Sequence, residues 1–440
     1  MKFKESHIYR FLAEITGIIK STEKMRTVVR IPLYNNAIFL IIANVLSAII
    51  AFVFWIIAAR FYSTEDVGLA SAAISAVSLL AMLANFGLGY GLIRFLPHSG
   101  KSAKNMINSC FTIGSLASVM AAFIFLCGLG FWSPALIFIR HNPIYFAAFV
   151  LFTIALTLSS LTDQAFIAER RAGFVLAKNI IFNLLRVILV IVLAAFFQTF
   201  GIFASWGMAI GVSLLLGVFV FLPRAQLDYR PFFAVSRTAV NDMLRFSFGN
   251  YIGSLFWTAP TYILPIIVVN LLGAEPNAYF YIAWTMGNML AIIPIAVSTS
   301  LFAEGSYDEE RLGLNIRRSL KMIALILVPA VILILAIAPQ LLLLFGGSYS
   351  ENATTLLRLL TISTLPQSIN VVYLDIKRVE KKLKIIVGLT TLIAVITIGL
   401  SYWLMPRMGF NGTGIAWLTG QGVIALLIIA SSLKKRRPLR

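Results

Sequence analysis

Arg186 lies near the centre of an apolar stretch, residues 174–197, with Asn179 and Asn183 on the same helical face at i, i+4, i+7 spacing. A charge in apolar surroundings costs roughly 3 kcal/mol or more unless it is paired or hydrated. Arg186 can attract an anionic group inward, pair with Asp163, or cap backbone carbonyls. The stretch 144–167 offers Thr153, Thr157, Ser160 and Gln164 on one face, with Asp163 nearer its end. Arg94 closes another apolar run beside Pro97 and is within reach of a phosphate, or it anchors the run by snorkelling. Arg60 is its counterpart at the other end, and Arg358 reads either way.

Four stretches carry polar stripes at helical spacing. They are Asn44 and Ser47; Ser71, Ser75, Ser78 and Asn85; Ser247, Tyr251, Ser254, Thr258 and Tyr262; and Asn277, Tyr281, Thr285 and Asn288. Such faces avoid lipid, so they line a watery cavity or glue helices together. Their placement in equivalent parts of both chain halves favours a cavity.

The elements that must position these groups follow from composition. The chain is 60% hydrophobic and 12% charged, which marks a polytopic all-α membrane protein. Lipid cannot satisfy a bare backbone, so runs of about 20 apolar residues must be helices. Twelve spans are expected, at about 37–59, 69–95, 107–130, 144–167, 174–197, 200–222, 246–272, 278–303, 319–345, 353–374, 384–405 and 412–433. With this count, one side holds 31 Lys and Arg, while the other holds only Arg60, Arg140 and Arg407. The basic side is cytoplasmic by the positive-inside rule, with both termini there. The net charge of +19, which in a soluble protein would suggest nucleic acid, is explained by this asymmetry.

Residues 1–36 read as a basic amphipathic helix on the cytoplasmic surface rather than a signal peptide. Spans one to six form an N-lobe over 37–222, and 223–245 is an inter-lobe linker. Spans seven to twelve form a C-lobe over 246–433, and 434–440 is a basic tail. The halves look repeated. Arg60–Glu65 resembles Asn270–Glu275, Pro134–Phe138 resembles Pro339–Leu343, Ala204–Trp206 resembles Ile415–Trp417, and Asp163 corresponds to Asp375. Spans one to six lack interior proline, whereas Pro260, Pro265, Pro294, Pro329 and Pro366 make the second lobe the more bendable.

No Ser/His/Asp grouping, HExxH, phosphate-binding loop or acidic metal cluster is present, so no catalytic residue, metal or cofactor is expected. Transport driven by ATP hydrolysis within this chain is excluded. Cys110 and Cys127 lie about 25 Å apart along one helix, too far for a disulfide.

The segments ARFYSTEDVGLASA and GLGYGLIRFLP, with PQLLLLFGGSY and GTGIAW later, resemble polysaccharide transporters. These are the oligosaccharide-lipid flippases of the multidrug/oligosaccharidyl-lipid/polysaccharide exporter superfamily. The resemblance implies two six-helix lobes around a central cavity lined mainly by spans one, two, seven and eight. It implies alternating access that moves a polyprenyl-pyrophosphate-linked glycan between leaflets for cell-surface polysaccharide biosynthesis, with membrane lipids and other polysaccharide-assembly proteins as partners. Arg94 and Arg186 would then offset the pyrophosphate, and Asn, Ser and Tyr side chains would bond the sugar. If an ion gradient couples, Asp163 is the only acid well within a span. A multidrug exporter of the same superfamily is the rival reading, but would favour buried carboxylates. A glycan ligase or polymerase would carry a larger outside loop.

Overall fold

The computed structural model describes residues 32–197, 199–226, 229–307 and 312–435. The expected amphipathic helix up to residue 31 and the end of the basic tail lie outside these. Among the described residues the regular secondary structure is helical throughout. The N-lobe contains α1 (Pro32–Phe61), α2 (Thr64–Ala84), α3 (Leu88–Phe95), α4 (Ala103–Cys127), α5 (Pro143–Ala168), α6 (Ala172–Ala194) and α7 (Thr199–Leu216). The C-lobe contains α8 (Arg237–Leu272), α9 (Ala274–Leu290), α10 (Ile292–Tyr307), α11 (Leu312–Leu343), α12 (Gly347–Val379), α13 (Leu383–Met408) and α14 (Asn411–Lys435). With α2 and α3 forming one span and α9 and α10 another, these make twelve membrane-spanning helices in two six-helix lobes.

Eleven spans are apolar enough to be recognised by composition alone. The twelfth is α12, whose Thr361, Ser363, Thr364, Gln367, Ser368 and Asn370 are buried against α9, α11 and α14 rather than turned to lipid. Its hydroxyls bond mostly back to its own backbone. Thr361 and Ser363 donate to Leu357 O and Leu360 O, and Asn370 donates to Gln421.

The second span of each lobe is interrupted, where the sequence predicts continuous helices. After α2, Phe86 and Gly87 adopt left-handed conformations (φ 47° and 78°) before α3 begins. Between α9 and α10 the break falls at Ala291, where Pro294 cannot donate to the carbonyl four residues back. The two halves also share a turn. Arg170 (φ 56°) between α5 and α6 matches Lys381 (φ 57°) between α12 and α13.

The lobes meet chiefly through α2 against α8 and α9, and α3 against α8. The linker lies along α4, where Tyr229 donates to Asn108 Oδ1 (2.8 Å) and Asn108 donates to Arg230 O (3.0 Å). On the face opposite the basic loops, two reciprocal clasps join the lobes. Arg60 donates to Leu343 O and Leu344 O (2.6 and 2.9 Å). Asn270 donates to Trp132 O (3.0 Å) and accepts from the Ala135 amide (3.2 Å). Arg60 and Asn270 are equivalent in the repeat, as are the Pro134 and Pro339 segments they grip.

Beside these clasps Asn277 donates to Gly68 O (2.8 Å), and a Cβ on Gly68 would sit 1.8 Å from Ala274 O. Gly68→Ala therefore forces α2 and α9 apart. The expected cost is about 1–3 kcal/mol, the usual penalty of overpacking, read as lower thermal stability in detergent.

Candidate functional site

Two adjoining cavities lie between the lobes on the side of the basic loops. The outer one, a vestibule of about 660 Å³, is lined by Arg94 of α3, Arg170 of the α5–α6 turn and Arg378 of α12, with His98. No carboxylate is among its lining residues. The inner one, about 370 Å³, is lined by uncharged polar groups including Asn85, Ser160, Gln164, Tyr251, Thr258 and Tyr262.

Each side chain is placed by local structure. Arg94 sits in the last turn of α3, a favourable place for a cation at the negative end of the helix dipole. Its guanidinium stands over the Phe246 ring at 5.8 Å. Arg378 is held differently. Its Nη1 donates to Asp375 Oδ1 (2.5 Å), while the other oxygen of this buried carboxylate accepts from Ser298 (2.5 Å). That clamp fixes the direction of Arg378 and offsets part of its charge.

Carboxylates near this face lie outside the vestibule lining. Burial raises the Glu169 carboxyl above its ordinary value, partly countered by the Arg171 charge. Glu380 is shifted the other way. Burial alone would raise it, but hydrogen bonds and charge from Lys377 and Lys382 together hold it below the usual carboxylate range.

The sequence-predicted residues fall into separate places. Asn85, Tyr251 and Tyr262 come together in the inner cavity, and Arg94 stands in the vestibule next to it. Asn44 is exposed on α1, and Asn288 is half-buried on α9; neither lines these two cavities. Arg60 belongs to a lobe clasp. Arg186, Asn183 and Asn179 form a packed chain of their own. Arg186 donates to Asn183 Oδ1 (2.5 Å) and is sandwiched by the Phe54 and Phe182 rings (5.0 and 4.7 Å). Asn183 in turn donates to Asn179 O and Ser47 Oγ (2.6 and 3.0 Å). Aromatic faces and an amide thus satisfy Arg186, and it does not pair with Asp163, one of the partners the sequence allowed.

Asp163 instead pairs with Lys178 Nζ at 2.9 Å, and Lys178 also donates to Ser159 O and Oγ (3.0 and 2.6 Å). This corrects the loop count, which placed Lys178 on the basic surface. The helix begins at Ala172 and buries Lys178 to 1% exposure. Arg358 also has a backbone role. Its Nε donates to Leu335 O (3.3 Å), the carbonyl that Pro339 leaves without a helical donor.

Sequence reasoning missed Arg170 and Arg378 as site residues because both count as ordinary loop-end positives. A usable signal was present for Arg378, which follows Asp375 by one helical turn. Tyr90, which lines both cavities, stood in the open in the run Gly87-Leu-Gly-Tyr-Gly91.

Comparison with known proteins places the fold. The inward closed conformation of the lipid II flippase MurJ superposes with a TM-score of 0.71 at 15% identity, covering 90% of this chain and 87% of that one. An inward-facing multidrug resistance MATE family transporter of the MOP superfamily gives 0.66 at 16% identity, covering 88% and 96%. A MOP superfamily transporter from Pyrococcus furiosus, described by a binding pocket of reverse polarity, gives 0.62 at 15% identity, covering 90% and 94%. No curated protein sequence matches the chain. The MatE family model matches residues 252–403. The model of the family described as "Polysaccharide biosynthesis protein" matches residues 33–303, more than half of the chain. The chain belongs to this polysaccharide biosynthesis protein family, and is a multi-pass membrane protein with the fold of the MOP superfamily transporters.

Proposed function

We propose that the protein flips a polyprenyl-pyrophosphate-linked oligosaccharide from the inner to the outer leaflet of the cell membrane by alternating access. The observation that carries this reading is the pairing of an arginine-lined, carboxylate-free vestibule with an uncharged polar cavity behind it. Guanidinium groups match phosphate oxygens in geometry and charge. Arg94, Arg170 and Arg378 would hold the pyrophosphate. Asn85, Ser160, Gln164, Tyr251, Thr258 and Tyr262 would exchange hydrogen bonds with sugar hydroxyls, while the lipid tail stays in the bilayer. The excess of Lys and Arg on the vestibule face supports the reading of it as the cytoplasmic face. The clasps at Arg60 and Asn270 then close the outer side, so the cavities face inward. Membrane lipids and other polysaccharide-assembly proteins are the expected partners.

The rival reading, a multidrug exporter, draws on the MatE match and the MATE-like fold. A cationic drug is best neutralised by a carboxylate, and neither cavity is lined by one. The two readings separate by ligand charge. Titration calorimetry in detergent should show binding of pyrophosphate, weakening steeply with salt, and none of tetraphenylphosphonium. Binding of the cation alone would favour the exporter.

The outer clasps give a further expectation. Arg60→Ala or Asn270→Ala should raise the labelling rate of a cysteine placed at Ser71 by a charged thiol reagent added outside, several-fold in each case. Unchanged rates would remove the clasps from outer closure.

A further inference from the structure

The two cavities share only Tyr90 and Ser254 among their lining residues, and these two share a hydrogen bond of 2.5 Å. Tyr90 belongs to α3 in the N-lobe, and Ser254 to α8 in the C-lobe. The bond therefore crosses the lobe interface at the point where the vestibule meets the inner cavity.

The helix that carries Tyr90 is set off from α2 by a break in the span. It is eight residues long and follows the left-handed pair Phe86 (φ 47°) and Gly87 (φ 78°). The Asn85 side chain steadies its start by accepting from the Gly89 amide at 3.2 Å. Three glycines seat it closely against its neighbours. A Cβ on Gly87, Gly89 or Gly91 would come within 2.8 Å of Tyr251, 2.9 Å of Gln164 and 2.6 Å of Met243, respectively. Arg94 stands one turn beyond Tyr90, at i+4, and points into the vestibule. An anion held at Arg94 thus lies on the same half-helix as the bond between the two cavities.

We propose that Tyr90 and Ser254 form a gate that a polar headgroup must part to pass from the basic vestibule into the uncharged cavity. The gate opens when α3 pivots about Phe86–Gly87. What passes through it rests on the headgroup-binding reading above, but the gate itself is testable without substrate. The bond is a single neutral hydrogen bond, so its loss should shift the open population by roughly fivefold.

The test places a reporter cysteine in the inner cavity, Ser160→Cys, and measures its modification by a sulfonate-bearing thiosulfonate reagent in detergent. Labelling of the exposed native Cys127 is subtracted using the protein without the reporter. Tyr90→Phe retains the ring and removes the hydroxyl; Ser254→Ala removes the partner. Each should speed labelling of Cys at position 160 about fivefold, and the two together should add nothing further. Labelling at the unmodified rate in both single variants overturns the gate. Both substitutions are small, and either alone suffices if the other disturbs folding. Faster labelling in a protein that moves no lipid-linked glycan would keep the gate and remove the headgroup reading.

Discussion

Arg94→Ala should weaken pyrophosphate binding by about 10- to 100-fold, the value of one charge-assisted hydrogen-bonded contact of roughly 1.5–3 kcal/mol. The residue is exposed in the vestibule and makes no ion pair among the described residues, so its charge is free for an incoming anion. Arg378→Ala should cost less, because Asp375 already offsets part of that charge. Arg94→Lys should recover only part of the loss, since an ammonium keeps the charge but not the two-pronged geometry. Calorimetry with pyrophosphate at fixed low salt measures all three. Equal binding by Arg94→Ala and the native protein would remove the vestibule from anion recognition.

Lys178→Ala should destabilise the N-lobe by about 1–3 kcal/mol, because it leaves the half-buried Asp163 without its cation and Ser159 without its donor. The double change Asp163→Leu with Lys178→Met should recover most of that loss, since well-packed apolar residues often replace a buried ion pair at little cost. Unfolding in detergent, arranged as a double-mutant cycle, measures the coupling. A coupling near zero would mean that Ser159, not Asp163, is what holds Lys178. The same pair bears on energy coupling. Asp163, the only acid well within a span by sequence, is held by a tethered cation at 2.9 Å. If the double variant still transports, the pair is structural.

The architecture was legible because apolar run length, loop charge and the internal offset near 210 residues all reflect the bilayer and the repeat. α12 was legible from length despite its buried Ser and Thr. The break at Phe86–Gly87 was not, because no proline marks it. Its signal is the dense glycine that follows, which reads as helix packing in a membrane protein. The candidate site was half legible. Stripes on α2 and α8 do meet in the inner cavity, since polar faces of helices that pack together must share one space. Arg186 misled because its charge can be satisfied by aromatic faces and an amide, and sequence shows neither partner. Arg170 and Arg378 were hidden by the opposite effect. A loop arginine is ordinary until the fold turns it inward.

The most direct test of the central proposal is movement of a short glycan linked through pyrophosphate to a polyprenol, across proteoliposomes containing the purified protein. Protein-dependent translocation that is lost in Arg94→Ala is the predicted result. No translocation by the native protein, alongside export of a cationic dye from the same vesicles, would contradict it.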